Sequence, residues 1–142
     1  MSRLATRGVT VTEVTVRRDL KKALQARLPN AMILRHEDLY TSGIPDLSVS
    51  YAGQTSWWEV KYADPHCKTT RIQQHTCTQL NLQGFCCRYI IFRREHQGKW
   101  PRQIWVASPD TFTKWKTTGL VISEGSFDYD ALVDYISRTH TS

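Results

Sequence analysis

Two carboxylates and a lysine, Asp46, Glu59 and Lys61, have the types and spacing for chemistry on a phosphate ester. A phosphodiester is negatively charged and repels nucleophiles, so its hydrolysis calls for a hard divalent cation. Mg²⁺ typically takes one or two carboxylates and keeps several waters. The backbone carbonyl of Val60 would be a further ligand, and Lys61 would hold the attacking water or the phosphate. The residue types therefore predict a Mg²⁺ or Mn²⁺ site held by Asp46, Glu59 and Val60.

Two strands have to position these side chains. Residues 46–51 and 57–62 both alternate polar and apolar side chains, which is the period of a half-buried strand. The first strand has Asp46 at the start of its polar face, and the second has Glu59 and Lys61 together on one face. The turn-prone residues between the strands favour an antiparallel pair. We therefore expect the three side chains to meet on one surface.

These residues resemble the signature of the PD-(D/E)XK nuclease superfamily, here Pro45-Asp46 followed by Glu59-Val60-Lys61. Within that superfamily, residues 42–47 and the later pair Gln73 and Gly84 are similar to the VRR-Nuc family. Its members are virus-type replication and repair nucleases, in which a small catalytic domain can stand alone. The resemblance covers roughly residues 13–93. The alternative is a solvated β-hairpin that carries an ordinary Glu-Lys pair.

The resemblance implies a metal-dependent endonuclease that cleaves DNA, branched or duplex, in replication, recombination or repair, and leaves a 5′-phosphate. The implied fold is α/β and restriction-endonuclease-like, with a mixed central sheet flanked by helices. A symmetric homodimer would follow if the enzyme resolves four-way junctions, because two active sites are then needed. Two alternatives stay open: a non-catalytic nucleic-acid-binding module on the same fold, and a ribonuclease or restriction-type nuclease.

Glu13 opens the first predicted helix, which begins near Thr12. It shares the apolar stripe of Val16, Leu20 and Leu24, so it points inward. The resemblance implies that a glutamate on this helix approaches the metal. The competing interpretation is a capping box formed by residues 10–13, in which the Glu13 carboxylate would bond to the backbone at the helix start.

Gln73 lies in a helix predicted over residues 68–84, with Thr69 or Thr70 as its cap and Gly84 as its terminator. Helical spacing puts Gln73 on the inward side. In the family that this sequence resembles, a glutamine at this distance before the glycine lies beside the active site. The competing interpretation is a surface glutamine hydrogen-bonded to water.

Lysine and arginine number 19 against 13 acidic residues, a formal net charge of +6 over 142 residues, which suits a nucleic-acid partner. Trp57 shares the face of Glu59 and Lys61, where an indole would either stack on a base or pack in the core. The residues predicted to contact nucleic acid are Lys68, Arg71, Arg17, Arg18, Lys21 and Trp57.

The length predicts one domain over residues 1–142, with a nuclease core at about 10–107 and a C-terminal extension at about 108–142. The four cysteines show no CxxC pair, so we expect no structural zinc. No apolar signal segment or membrane-spanning stretch is present in the sequence. We therefore expect no membrane partner and a cytoplasmic location, or a nuclear one in a eukaryote. Further strands are predicted at residues 86–92, 103–107 and 120–122, and helices at 111–116 and 127–137.

Overall fold

Residues 11–36 and 43–140 are the part of the chain that this computed structural model describes. Their α-helices are Glu13–Arg27 (α1), Arg71–Leu82 (α2), Trp115–Thr118 (α3) and Tyr129–Arg138 (α4), with a 3₁₀ helix at Pro109–Lys114. Their strands are Met32–Arg35 (β1), Leu47–Tyr51 (β2), Gln54–Ala63 (β3), Cys86–Arg93 (β4), Gln103–Ala107 (β5) and Leu120–Glu124 (β6).

The strands form one sheet in the order β1-β2-β3-β4-β5-β6. Neighbouring strands are antiparallel except β3 and β4, which run parallel. Parallel neighbours need a crossover connection, and α2 provides it. β2 and β3 are joined by the tight turn of Ala52 and Gly53, whose φ angles are 55° and 78°. Two consecutive positive φ values are typical of the mirror-image turns that suit hairpins.

Helices cover both faces of the sheet, and each face has its own apolar core. The first core contains side chains of α1, α4 and one face of the sheet, including Leu20, Trp58, Val60 and Leu132. The second contains side chains of α2, the 3₁₀ helix, α3 and the opposite face, including Cys77, Cys87, Tyr89, Phe112 and Trp115. Residues 108–140 therefore supply side chains to both cores. The central strand β3 is buried on both faces over most of its length.

Local sequence explains the ends of the two helices nearest the hairpin. The Thr12 side chain caps α1 by accepting a hydrogen bond from the Thr15 N–H at 3.4 Å. Thr70 caps α2 in a capping box with Gln73. At the other end of α2, Gly84 has a φ of +94°, and the N–H of Phe85 bonds back to the Leu80 carbonyl. This is the Schellman arrangement that favours glycine.

The predicted mixed sheet flanked by helices is confirmed. The predicted hairpin, the α2 helix, β4, β5 and the short helix before Gly119 are also present, with ends shifted by a few residues. Two expectations about local structure were incomplete. β1 was not predicted at all, and the last helix begins at Tyr129 rather than at residue 127 because Asp128 caps it.

Candidate functional site

Asp46 lies immediately before β2 and is held against β3. In the hairpin, Leu47 pairs with Trp58, so Asp46 is placed beside Glu59 on the same face of the sheet. Its Oδ2 accepts a hydrogen bond from the backbone N–H of Val60 at 2.8 Å. The alternation argument therefore placed Asp46 and Glu59 on the correct face.

Glu59, Lys61 and Gln73 form a closed triangle of side-chain contacts beside Asp46. Lys61 Nζ donates to Gln73 Oε1 at 2.9 Å, and Gln73 Nε2 donates to Glu59 Oε2 at 3.1 Å. The third side is the ion pair between Lys61 Nζ and Glu59 Oε2 at 3.6 Å. Gln73 is thus the inward glutamine of α2 and is not a surface residue bonded only to water.

These charged groups are buried, which perturbs Glu59 strongly. Glu59 is only 4% exposed and Lys61 only 8%. Burial raises the pKa of Glu59 to about 8, and the neighbouring Asp46 carboxylate raises it through charge and hydrogen bonding, while Lys61 opposes the shift. Burial and the Asp46 charge therefore both favour the protonated form of Glu59, which a bound cation would oppose. Buried carboxyl groups with a raised pKa are concentrated at functional sites.

Glu13 belongs to the same electrostatic group although it comes from α1. Burial raises its pKa, and the charges that act on it are those of Lys61, Asp46 and Arg17. A hydrogen bond from the Tyr62 backbone lowers the pKa in turn. The competing capping-box interpretation receives no support from the described residues, because Thr12 is the N-cap and Glu13 is the first helical residue. Thr10 lies outside the described part of the chain.

A divalent cation would have to be held mainly by two carboxylates. Among residues 11–36 and 43–140, no group of three or more His, Cys, Asp and Glu side chains has a metal-binding arrangement. Asp46 and Glu59, with the Val60 carbonyl and waters, still satisfy the one or two carboxylates that Mg²⁺ typically takes. Both Asp46 oxygens already accept a hydrogen bond, Oδ2 from the Val60 N–H and Oδ1 from Arg17 Nη1 at 3.0 Å. The two acidic side chains fit a cation chemically, and Arg17 competes with it.

Two residues that the sequence analysis did not assign to the site, Thr69 and Tyr89, extend the triangle. The Thr69 hydroxyl donates to Gln73 Oε1 at 3.3 Å and also bonds to the Tyr89 hydroxyl. Tyr89 is the β4 partner of Glu59 in the parallel register and is fully buried. Only the register between β3 and β4 identifies Tyr89 as a neighbour of Glu59, and no local sequence pattern reveals that register. The Thr70-x-x-Gln73 spacing was a readable capping box.

The residues predicted to contact nucleic acid are placed differently from one another. Arg17 is only 15% exposed and pairs with Asp46, so its guanidinium faces the carboxylates. Arg18 is exposed and lies 3.3 Å from Asp19. Lys68 and Arg71 are both exposed, just before and at the start of α2. Lys21 is half-buried on α1.

Trp57 lies on the face of Glu59 and Lys61, as alternation predicted, but it is half-buried. Its indole packs against the second core and stacks on the His36 ring, with centroids 5.2 Å apart. The indole N–H is buried and has no hydrogen-bond partner among the described residues. Packing is therefore its main visible role.

The segment that leads to Asp46 is pressed against α2. Gly43 has a φ of +88°, and a Cβ added there would collide with Cγ2 of Ile72 on α2. Glycine is required both by the backbone angle and by this close approach. The contact ties the Asp46 segment to the helix that carries Gln73.

Comparison with known proteins adds no assignment. No family model matches the chain, and no curated protein matches it. Among the helices that the structure describes, none has both the length and the apolar character needed to cross a membrane.

Proposed function

We propose that this chain is a divalent-cation-dependent endonuclease that hydrolyses DNA phosphodiester bonds, with a restriction-endonuclease-like fold. The observation that supports it most is the meeting of Asp46, Glu59, Lys61 and Gln73 at one buried point on β3. Buried charges are costly unless they are paired. A protein that only needed a stable core would gain nothing by placing two adjacent carboxylates there.

The order of elements is consistent with the resemblance to PD-(D/E)XK nucleases. A helix precedes an antiparallel hairpin, and the strand carrying Glu59-Val60-Lys61 is followed by the crossover helix α2 and the parallel strand β4. Glu13 on the first helix and Gln73 on the crossover helix both approach that strand. All of the residues that the resemblance implies are thus directed toward one place.

Asp46, Glu59 and the Val60 carbonyl would hold the cation, with Glu13 as a nearby supporting carboxylate. A bound Mg²⁺ or Mn²⁺ supplies Lewis-acid chemistry, acidifying water and offsetting charge on the phosphate. The raised pKa of Glu59 means that the cation would displace a proton as it binds.

Lys61 would act on the substrate through one N–H of its ammonium group. Its ammonium has three donors. One reaches Gln73 and another is directed toward Glu59, so one N–H remains for a phosphate oxygen or for the attacking water. Gln73 orients this ammonium and the Glu59 carboxylate at the same time, because its amide bonds to both.

The net charge of +6 supports a nucleic-acid substrate, and recognition of DNA shape is favoured over a long base sequence. We propose branched or duplex DNA as the substrate class. A homodimer is expected only if the substrate is a four-way junction that needs two cuts.

One observation favours a second candidate, a nucleic-acid-binding module without catalysis. Arg17 already neutralises Asp46 at 3.0 Å, which could leave the carboxylates paired within the protein instead of with a metal. Such a module would bind DNA in a salt-sensitive way and show no turnover.

Incubation with labelled substrates separates these candidates. The substrates are junction, flap, linear duplex, single-stranded DNA and RNA, each with Mg²⁺, with Mn²⁺ and with EDTA. We expect metal-dependent cleavage of at least one DNA substrate, and Lys61→Ala should lower its rate by roughly 100-fold or more, as loss of one transition-state donor does elsewhere.

Lys99→Ala is the matched control, because Lys99 is an exposed turn lysine on the strand connection after β4. Its rate should equal that of the unmodified protein. Equal cleavage by Lys61→Ala would mean that a contaminant acts, and binding without cleavage by any preparation would select the non-catalytic module.

A further inference from the structure

A basic cavity of about 590 Å³ lies next to the candidate site, between residues 66–69 and residues 112–117. We call it the lysine pocket. Its ten described lining residues include Lys68, Lys114, Lys116 and His66, and no aspartate or glutamate. The volume lies within the roughly 300–1,000 Å³ that is usual for ligand sites. Positive charge without an acidic partner in a concave surface favours an anion.

The lysine pocket is continuous with the candidate site through Thr69. Thr69 lines the pocket, and its hydroxyl donates to Gln73 Oε1, the atom that also accepts from Lys61. The pKa of Cys67, another lining residue, is raised by burial, and the charges of Lys61, Glu13 and Lys116 also act on it. An anion in the pocket would thus lie close to the Gln73 side chain, which Lys61 also contacts.

The wall that carries the pocket lysines is fixed by aromatic packing. Trp115 is 4% exposed, and its ring packs edge-on against Trp105 with centroids 5.3 Å apart. Lys116 Nζ lies 5.6 Å from the Trp115 ring centroid and donates to His66 Nδ1 at 3.4 Å. The ammonium therefore contacts two other lining residues, which lowers the cost of ordering it around a ligand.

We propose that the lysine pocket binds a backbone phosphate of the nucleic-acid strand, next to the phosphate that is cleaved. Lysine recognises phosphate as a point charge, and three such charges beside the candidate site would guide a strand across β3. This inference rests on the proposed function, because the candidate site determines where the DNA strand runs. It assigns a role to the region after β5, in which the sequence showed no motif.

The test measures binding without turnover. Fluorescence anisotropy with labelled duplex and single-stranded DNA in EDTA, over 50–200 mM salt, compares Lys114→Gln/Lys116→Gln with the charge-matched control Lys22→Gln/Lys99→Gln. Both pairs are exposed on the surface, so neither should unfold the protein. A thermal melt of each variant checks this.

We expect the pocket variant to bind roughly 10-fold more weakly or worse at about 100 mM salt, with a salt slope smaller by about 1, since the pocket contacts one phosphate and each neutralised phosphate contributes about 1. The control should change by about twofold or less. Equal losses in the two variants would overturn the proposal, because they would show a diffuse charge effect.

Inorganic phosphate distinguishes a strand site from a site for a free anion. If wild-type protein binds phosphate through the pocket lysines while DNA binding is unchanged in the pocket variant, the strand assignment is wrong. The proposed activity is tested separately: weakened DNA binding by the pocket variant, with no cleavage by the wild type, would support the pocket and reject the nuclease.

Discussion

The two ends of β3 both bury polar side chains, and they do so in opposite ways. At the amino end, Ser56 Oγ accepts from Trp58 Nε1 at 2.7 Å and contacts His140 Nε2 at 2.6 Å. His140 Nδ1 lies 3.0 Å from the Tyr51 carbonyl. Because a carbonyl only accepts, Nδ1 donates this hydrogen bond. The network contains no carboxylate, and each of these groups has a hydrogen-bond partner.

At the carboxyl end of β3, the buried groups are ionisable and their charges are crowded. Burial and the Asp46 carboxylate disfavour the ionised form of Glu59, and Lys61 offsets only part of this. A satisfied network without carboxylates mainly stabilises a unique fold, whereas the burial of adjacent carboxylates is unfavourable unless a cation accompanies them. The same strand therefore has an amino end of uncompromised hydrogen bonds and a carboxyl end of crowded ionisable groups.

The largest effect should come from removing the charge of Glu59. Glu59→Gln keeps the size of the side chain and loses a carboxylate of the proposed cation site, so we expect cleavage to fall by roughly 10³-fold. Single-turnover cleavage with saturating Mg²⁺ measures this. Ser56→Ala on the same strand serves as the comparison and should cleave at the wild-type rate at a temperature where it is folded; a similar loss in both variants would remove the distinction between the two ends.

His140→Ala should show the reverse pattern. It leaves Ser56 and the Tyr51 carbonyl without their partner in a buried place, and each lost hydrogen bond of this kind costs about 1–3 kcal/mol. We expect a free energy of unfolding lower by about 3 kcal/mol in a urea titration, with cleavage at low temperature within about twofold of wild type. An unchanged urea midpoint would show that the amino end is not a stability element.

The smallest effect is a pH dependence that belongs to the carboxyl end alone. Burial raises the pKa of Glu59 in the folded state from its ordinary value of 4.5 to about 8. The protonated form therefore contributes stability that is fully present below about pH 4.5 and is lost as the pH rises through about 8. In EDTA, the Tm should fall by a few degrees between pH 6 and pH 9.

Glu59→Gln should flatten this Tm profile, and Ser56→Ala should shift it downward without changing its slope. Glu13 keeps part of the slope in the Glu59 variant because its pKa is raised too. Added Mg²⁺ should raise the wild-type Tm more at pH 9 than at pH 6, since less proton displacement is needed there. An identical slope in wild type and Glu59→Gln would show that Glu59 is ionised throughout this range.

The arrangement at the carboxyl end of β3 was largely readable from sequence because it depends on local patterns. Alternation put Asp46, Glu59 and Lys61 on one face, and helical spacing turned Gln73 inward. Neither inference needs long-range information. The metal, the reaction and the substrate remain predictions.

Other parts of the site depend on contacts between distant segments. Contact of Arg17 with nucleic acid stays a prediction, but its ion pair with Asp46, formed by the packing of α1 beside the hairpin, was not anticipated. The lysine pocket joins residues about 50 positions apart, and no short motif marks such a meeting. β1 is only four residues long and has no strong alternation, so its pairing with β2 could not be anticipated.

The turn at Ala52 and Gly53 determines which side chains can meet far from it. Its two left-handed residues fix the offset between β2 and β3, and this offset places Asp46 opposite Glu59. One extra residue in the turn would have to bulge out or would turn one strand over, sending the two carboxylates to opposite sides of the sheet. Variation in the length of this exposed loop is therefore limited by the need to keep the Asp46 and Glu59 carboxylates on one side of the sheet.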